Sequence, residues 1–225
     1  PISNAGAISW QGSIGAIYYS VERAPKASGP WTSVADRVDE SFVQYRPVFA
    51  DESATPGSWY YRVQAHNDSG ISEPSNVAGP VQVNHGIFVD ELANFSRVHS
   101  RGGDWEIKTR QSRNAKEDAH RAAGDAGSSL VYQMPSEIES FRVFAFFPGD
   151  AADLKFAVST NGTDYAQVKA GSGIFFTGPG EYKYWKPVLY EVDSLRIHGS
   201  YLKIELTGDT QVGRVEITRT AAAPE

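Results

Sequence analysis

Between Gly171 and Trp185 the chain reads Gly171-Ser172-Gly173-Ile174-Phe175-Phe176-Thr177-Gly178-Pro179-Gly180-Glu181-Tyr182-Lys183-Tyr184-Trp185, with five aromatic residues among glycines and two charged side chains. So Gly-rich a stretch reads as a long connection, and long ordered connections are uncommon and often functional. Flat rings beside hydrogen-bonding groups suit a ligand with apolar C–H faces ringed by hydroxyls, which is the chemistry of a sugar. Tyr182, Tyr184 and Trp185 supply the rings, and Glu181 and Lys183 the polar partners. Phe176 joins them as a candidate contact, as does Trp105 beside the Arg101-Gly102-Gly103 turn. A competing expectation comes from strand alternation over 184–192, which puts Tyr184, Val188 and Tyr190 on one face and Trp185, Pro187 and Leu189 on the other. One of those faces must be core.

Catalytic constellations are not evident. Glycoside hydrolysis needs two facing carboxyl groups, and the acidic pairs Asp51-Glu52, Asp90-Glu91, Glu117-Asp118 and Glu191 with Asp193 fall at turns or strand ends, where carboxylates are normally solvated. The chain has no cysteine and no Gly-x-Ser-x-Gly elbow between a strand and a helix. Its histidines, His66, His85, His99, His120 and His198, lack the paired spacing of a zinc site. The expectation is a chain that is not itself an enzyme.

The 225 residues suffice for two ordinary domains, and the 40% hydrophobic, 12% aromatic and 21% charged composition is that of a folded protein. A formal net charge of −6 provides no positive field to gather phosphates, which argues against nucleic acid. No run of about 18 apolar residues is present, so no membrane insertion by a helix is expected. Pro1-Ile2-Ser3-Asn4 lacks the basic-then-apolar pattern of a signal peptide, so an export signal would lie upstream.

The elements that must position the candidate residues read as strands throughout, short runs of Val, Ile, Tyr and Phe punctuated by Gly, Pro, Asn and Asp. In the first part these are 6–10, 16–23, 31–34, 45–49, 59–65 and 75–83. Over 59–65, Trp59, Tyr61, Val63 and Ala65 share one face, which is expected to be core together with Trp10 and Trp31. Ile8-Ser9-Trp10, Tyr19-Ser20-Val21-Glu22-Arg23 and Tyr61-Arg62-Val63-Gln64-Ala65-His66-Asn67-Asp68-Ser69-Gly70 resemble a fibronectin type III module over about 5–83. Two departures stand out: Trp59 occupies the place of the corner tyrosine, and the strand expected before Trp10 is missing or reduced to residues 1–4. The first domain is placed at 1–84, with the first strand truncated.

For 85–225, strands are expected at 87–92, 105–109, 129–134, 140–147, 154–159, 184–192, 201–207 and 213–218, enough for a two-sheet sandwich. Residues 114–123 read as irregular or a short strand. Asn161-Gly162 between alternating runs is a strong hairpin signal. Phe156-Ala157-Val158-Ser159, Tyr201-Leu202-Lys203-Ile204-Glu205-Leu206 and Gly213-Arg214-Val215-Glu216-Ile217 resemble the galactose-binding-like jelly rolls of carbohydrate-binding modules. The opening Val89-Asp90-Glu91-Leu92-Ala93-Asn94-Phe95 is similar to C-terminal modules of bacterial mannanase- and cellulase-like glycoside hydrolases.

These resemblances imply an all-β chain, a fibronectin type III-like sandwich plus a jelly-roll β-sandwich. They imply a non-catalytic, secreted, extracellular or cell-surface tail of a glycoside hydrolase. Its second module would bind polysaccharide, mannan or another β-glycan, and its first would act as spacer beside an upstream catalytic domain. The alternative is that both modules are structural and pack against that domain without binding glycan. No cofactor is implied beyond a structural calcium ion, for which the resemblance points to Glu216 with Asp90 or Asp118.

Overall fold

The computed structural model describes residues 2, 4–39, 47–116, 118–175 and 184–221, and by its internal contacts the chain divides into two compact units, Pro1–Ile87 and Phe88–Glu225. Strands dominate both, as the alternating Val, Ile, Tyr and Phe runs require.

In the first unit, β1 (Tyr18–Ala24), β2 (Thr32–Val38), β3 (Gly57–Asn67), β4 (Gly70–Ile71) and β5 (Ala78–Val83) form one sheet in the order β2-β1-β3-β4, with β5 also on β3. Ala5, Ile8, Val21, Ala54, Tyr61, Val81 and Val83 make its core. The expected strand at 6–10 is only a single bridge between Ile8 and Phe49. Trp10, Trp31 and Trp59, expected as core, are half-buried. Guanidinium groups lie 4.4 Å above the rings of Trp59 (Arg23) and Trp31 (Arg62), a favourable cation–π placement. The Trp59 indole N–H donates to the Thr55 carbonyl at 2.8 Å, so a side-chain-to-backbone bond is made here by nitrogen. The buried Asp51 carboxylate accepts from Arg23 at 2.7 Å, the Tyr61 hydroxyl at 3.0 Å and Ser53, which offsets its desolvation.

In the second unit, a five-stranded sheet runs β13 (Ala166–Val168), β12 (Leu154–Ser159), β16 (Tyr201–Leu206), β10 (Ser129–Gln133), β7 (Ser100–Gly102). A seven-stranded sheet runs β14 (Gly171–Ile174), β15 (Lys186–Val192), β11 (Ile138–Phe147), β17 (Thr210–Thr220), β9 (Arg121–Gly124), β8 (Trp105–Lys108), with β6 (His85–Asp90), the strand in which the division between the units falls, also on β17. Alternation decides what each sheet buries. Leu130, Tyr132, Phe156, Val158, Leu202, Ile204 and Leu206 meet Phe141, Val143, Ala145, Phe147, Val188, Val212 and Val215 in one core, the packing of a jelly-roll-type sandwich.

The hairpin after β12 is fixed by Asn161, whose Oδ1 accepts the backbone N–H groups of Thr163 and Asp164 at 2.9 Å. Gly162 there has φ 76°, and a Cβ would stand 3.0 Å from the Tyr201 ring, so both backbone and space call for glycine. Two expectations change. The 171–185 stretch is not wholly a connection, because 171–174 pairs with 188–191 as an edge strand. The 114–123 segment divides between a 3-10 turn at Ser112–Ala115 and strand β9.

Candidate functional site

β15 begins at Lys186, so the alternation that buries Val188 and Tyr190 stops short of Tyr184 and Trp185. Neither ring enters the core; both are half-buried. The Trp185 backbone N–H donates to the Asn114 carbonyl at 2.9 Å, which ties this segment to the 110–118 loop. The Lys116 ammonium sits 3.4 Å from the Tyr184 ring centroid, and the Arg121 guanidinium 5.8 Å from that of Trp185. Burial draws the Lys116 amine below the usual lysine range.

The loop beside the two rings is held in an unusual shape. Gln111 and Lys116, with φ of 60° and 58°, are left-handed residues without being glycine, and they bracket the 3-10 turn. Such conformations persist only where the surroundings over-determine them. Arg121 supplies that determination. Fully buried, it donates Nε to Gln211 Oε1 at 3.0 Å and its two terminal nitrogens to the carbonyls of Asp118 and Arg110. Asp118, also buried, presses on β17, where a Cβ on Gly213 would collide with its Oδ2 and stand 2.9 Å from Phe146.

All these groups lie on one side of the seven-stranded sheet. Ala122, Val143 and Ala145 point to the core, so Arg121, Phe144 and Phe146 point away from it. Phe144 and Phe146 are nevertheless buried, with Phe175 edge-on to them at 5.2 and 6.0 Å. The outward face thus carries a second layer, aromatic and charged. Beside it, Glu216 is gripped by Arg214 at 2.7 Å and Arg142 at 3.1 Å, and the wholly buried Arg214 also pairs with Glu91.

The expected site residues separate accordingly. Tyr184 and Trp185 come together; Phe176 and Tyr182, with Glu181 and Lys183, lie outside the described residues. Trp105 stands apart, on the core-facing side of β8 opposite Gly124, with its indole N–H donating to the Gly102 carbonyl at 3.0 Å. The calcium set is not assembled. Glu216 is held by two guanidinium groups, and Asp90 accepts from the Leu92 N–H at 2.9 Å and the Tyr132 hydroxyl at 3.0 Å. Burial raises the Asp90 carboxyl above the usual range, against the opposing pull of the Leu92 and Tyr132 donors and Arg97. Among the described residues no group of three or more His, Asp or Glu is placed to hold a metal ion. Lys116, Arg121, Gln211, Phe144 and Phe146 were missed. One signal for them exists: Val143-Phe144-Ala145-Phe146-Phe147 is apolar at every position, the mark of a strand covered on both faces.

No protein-family model and no curated protein matches the sequence. Among solved structures, the chain is similar to the catalytic domain of a GH87 alpha-1,3-glucanase, with TM-score 0.39 and 14% identity over 62% of this chain and 29% of that one. It is similar to the C-terminal family 6 carbohydrate-binding module of a marine laminarinase from Zobellia galactanivorans, with TM-score 0.34 and 13% identity over 60% of this chain and 100% of that one. A carbohydrate-binding module of Cellvibrio mixtus lichenase 5A in complex with cellotriose gives TM-score 0.32 and 13% identity over 59% of this chain and 97% of that one. The chain therefore spans under a third of the glucanase domain and nearly all of the two modules. What these proteins bind is a property of theirs.

Proposed function

We propose that residues 88–225 form a non-catalytic carbohydrate-binding module, with the first unit as spacer, in the secreted tail of a polysaccharide-degrading enzyme. The carrying observation is the Tyr184–Trp185 pair, displaced from the core and propped by Lys116, Asn114 and Arg121 on the outward sheet face. A ring packed against a cation on one face loses little freedom when a pyranose stacks on the other. Lys116, buried against Tyr184, fixes that ring from one side. The ligand class in this reading is a neutral β-glycan such as mannan, and single-site binding is weak, useful because it raises the effective concentration of substrate around a tethered catalytic domain.

Isothermal titration against mannan, glucomannan, xylan and cellulose tests this. Binding to at least one is expected, with a loss of about tenfold or more in the Tyr184→Ala/Trp185→Ala double variant. Absence of binding to all four, or unchanged affinity in the double variant, would remove the proposal.

A further inference from the structure

The first unit contains a cleft of about 320 Å³ that opens on the inner side of its sheet. Its floor is Tyr19, Tyr61, Val63 and Ala65, inward residues of β1 and β3 that continue from the core through Tyr61. One wall is Ile8 to Gln11; the other is Ser72, Glu73, Ser75 and Asn76. Both walls are held in place. Ser72 and Ser75 return hydrogen bonds to β3, their hydroxyls accepting from Ala65 at 3.0 Å and Val63 at 3.1 Å, and the Ser13 N–H donates to the Tyr19 hydroxyl at 2.6 Å.

Two observations give the cleft a chemistry. First, the Trp10 ring stands 5.2 Å from that of Tyr19, and the Trp10 indole N–H is buried with no acceptor among the described residues. An unpaired buried donor is costly, so a group that reaches it recovers that cost. Second, among the described residues the backbone of Ser9, Trp10 and Gln11 makes no hydrogen bond after the bridge at Ile8. Rings on one side, the Trp10 donor on another and the polar side chains of Gln11, Glu73 and Asn76 at the rim suit a small polyhydroxylated ligand with an apolar face. The volume lies at the low end of the range for small-molecule sites, about 300–1,000 Å³, which limits the occupant to a short piece.

We infer that the first unit is itself a saccharide-binding element, whose Trp10 cleft takes one or two pyranose residues of a neutral glycan independently of the Tyr184–Trp185 face. The ligand stacks against the Trp10–Tyr19 edge, and its hydroxyls accept from the Trp10 N–H and bridge to Gln11 and Asn76. This goes beyond the spacer role given to the unit above, and its test does not depend on the second site.

The experiment uses the full chain carrying Tyr184→Ala/Trp185→Ala. Saturation-transfer NMR and titration with cellotetraose, mannotetraose and xylotetraose are expected to show residual binding to at least one. Two further variants read the cleft: Trp10→Phe keeps the ring and removes the donor, and Asn76→Trp fills the cleft from an exposed rim position that the core does not use. Each is expected to weaken the residual binding about tenfold or more with an unchanged circular dichroism spectrum. No residual binding overturns the inference, as does residual binding indifferent to both variants. Binding of a capped alternating valine–threonine hexapeptide but of no saccharide overturns it too, because the cleft would then be a strand-docking edge.

Discussion

Tyr190 sits at the margin of the second unit's core, where its hydroxyl donates to the Ala152 carbonyl at 2.7 Å; burial, and then the Asp153 carboxylate, push its pKa up to about 12. In the unfolded chain the phenol ionises at about pH 10. Since the folded value is the higher one, the stability it contributes is complete below the unfolded pKa and is lost as pH rises through the folded one. Tyr132 moves the same way through burial and Asp90. Urea midpoints should therefore fall between about pH 10 and 12, the window those values define, and Tyr190→Phe should flatten the slope. An equally steep decline in that variant would show that this hydroxyl is not responsible. Asp51 invites a different test. Removing its carboxylate strands the Arg23 cation and leaves the Tyr61 hydroxyl without its acceptor, so Asp51→Ala should cost about 3 kcal/mol in urea unfolding, and Asp51→Asn less. A cost within about 0.5 kcal/mol for Asp51→Ala would contradict the buried network.

β17 is where sheet and outer layer meet, and Gly213 is its point of closest approach. A methyl group there would run into Asp118 Oδ2, so Gly213→Ala should destabilise by about 1–3 kcal/mol and shift the NMR signals of residues 110–121. If only β17 signals move, the loop is not seated as described. Much of this frame was legible in the chain. Leu154–Ser159 has the bounds its alternation implied, and Tyr201–Leu206 differs by one residue. Strands β7, β13 and β14 were not legible and β9 only as one reading of 114–123, and their composition says why: Arg121-Ala122-Ala123-Gly124 and Gly171-Ser172-Gly173-Ile174 pair through backbone while offering little β-branched or aromatic surface. The site divides on the same line. Tyr184 and Trp185 were visible as aromatics in a Gly-rich stretch, but their alternation misled because the strand starts after them. Arg121 and Lys116 were invisible as members of a buried layer, since charged residues are read as solvated unless their partners, here distant carbonyls and a ring, are known.

At the scale of the whole chain, the two units have separate cores, one built on Tyr61 and Val21, the other on Leu202, Ile204 and Phe141. Calorimetry should accordingly depart from a single two-state transition. Leu202→Ala, which empties a fully buried position, should cost its own unit roughly 2–5 kcal/mol while leaving the unfolding of the first unit in place. A single transition that shifts as one in the variant would mean that the cores melt together. The net charge of −6 places no attraction between this chain and other polyanions, so binding by either proposed site should depend little on salt, as expected for neutral sugars.

The placement of the tryptophans has an optical consequence. Trp10, Trp31 and Trp59 lie in the first unit and Trp105 and Trp185 in the second, and each of the two proposed sites contains one of the five. The intrinsic emission of the protein is thus already divided into reporters. Replacing Trp185 by phenylalanine would subtract the signal of one site and replacing Trp10 that of the other, so ligand-induced quenching could be assigned to its origin without an added dye.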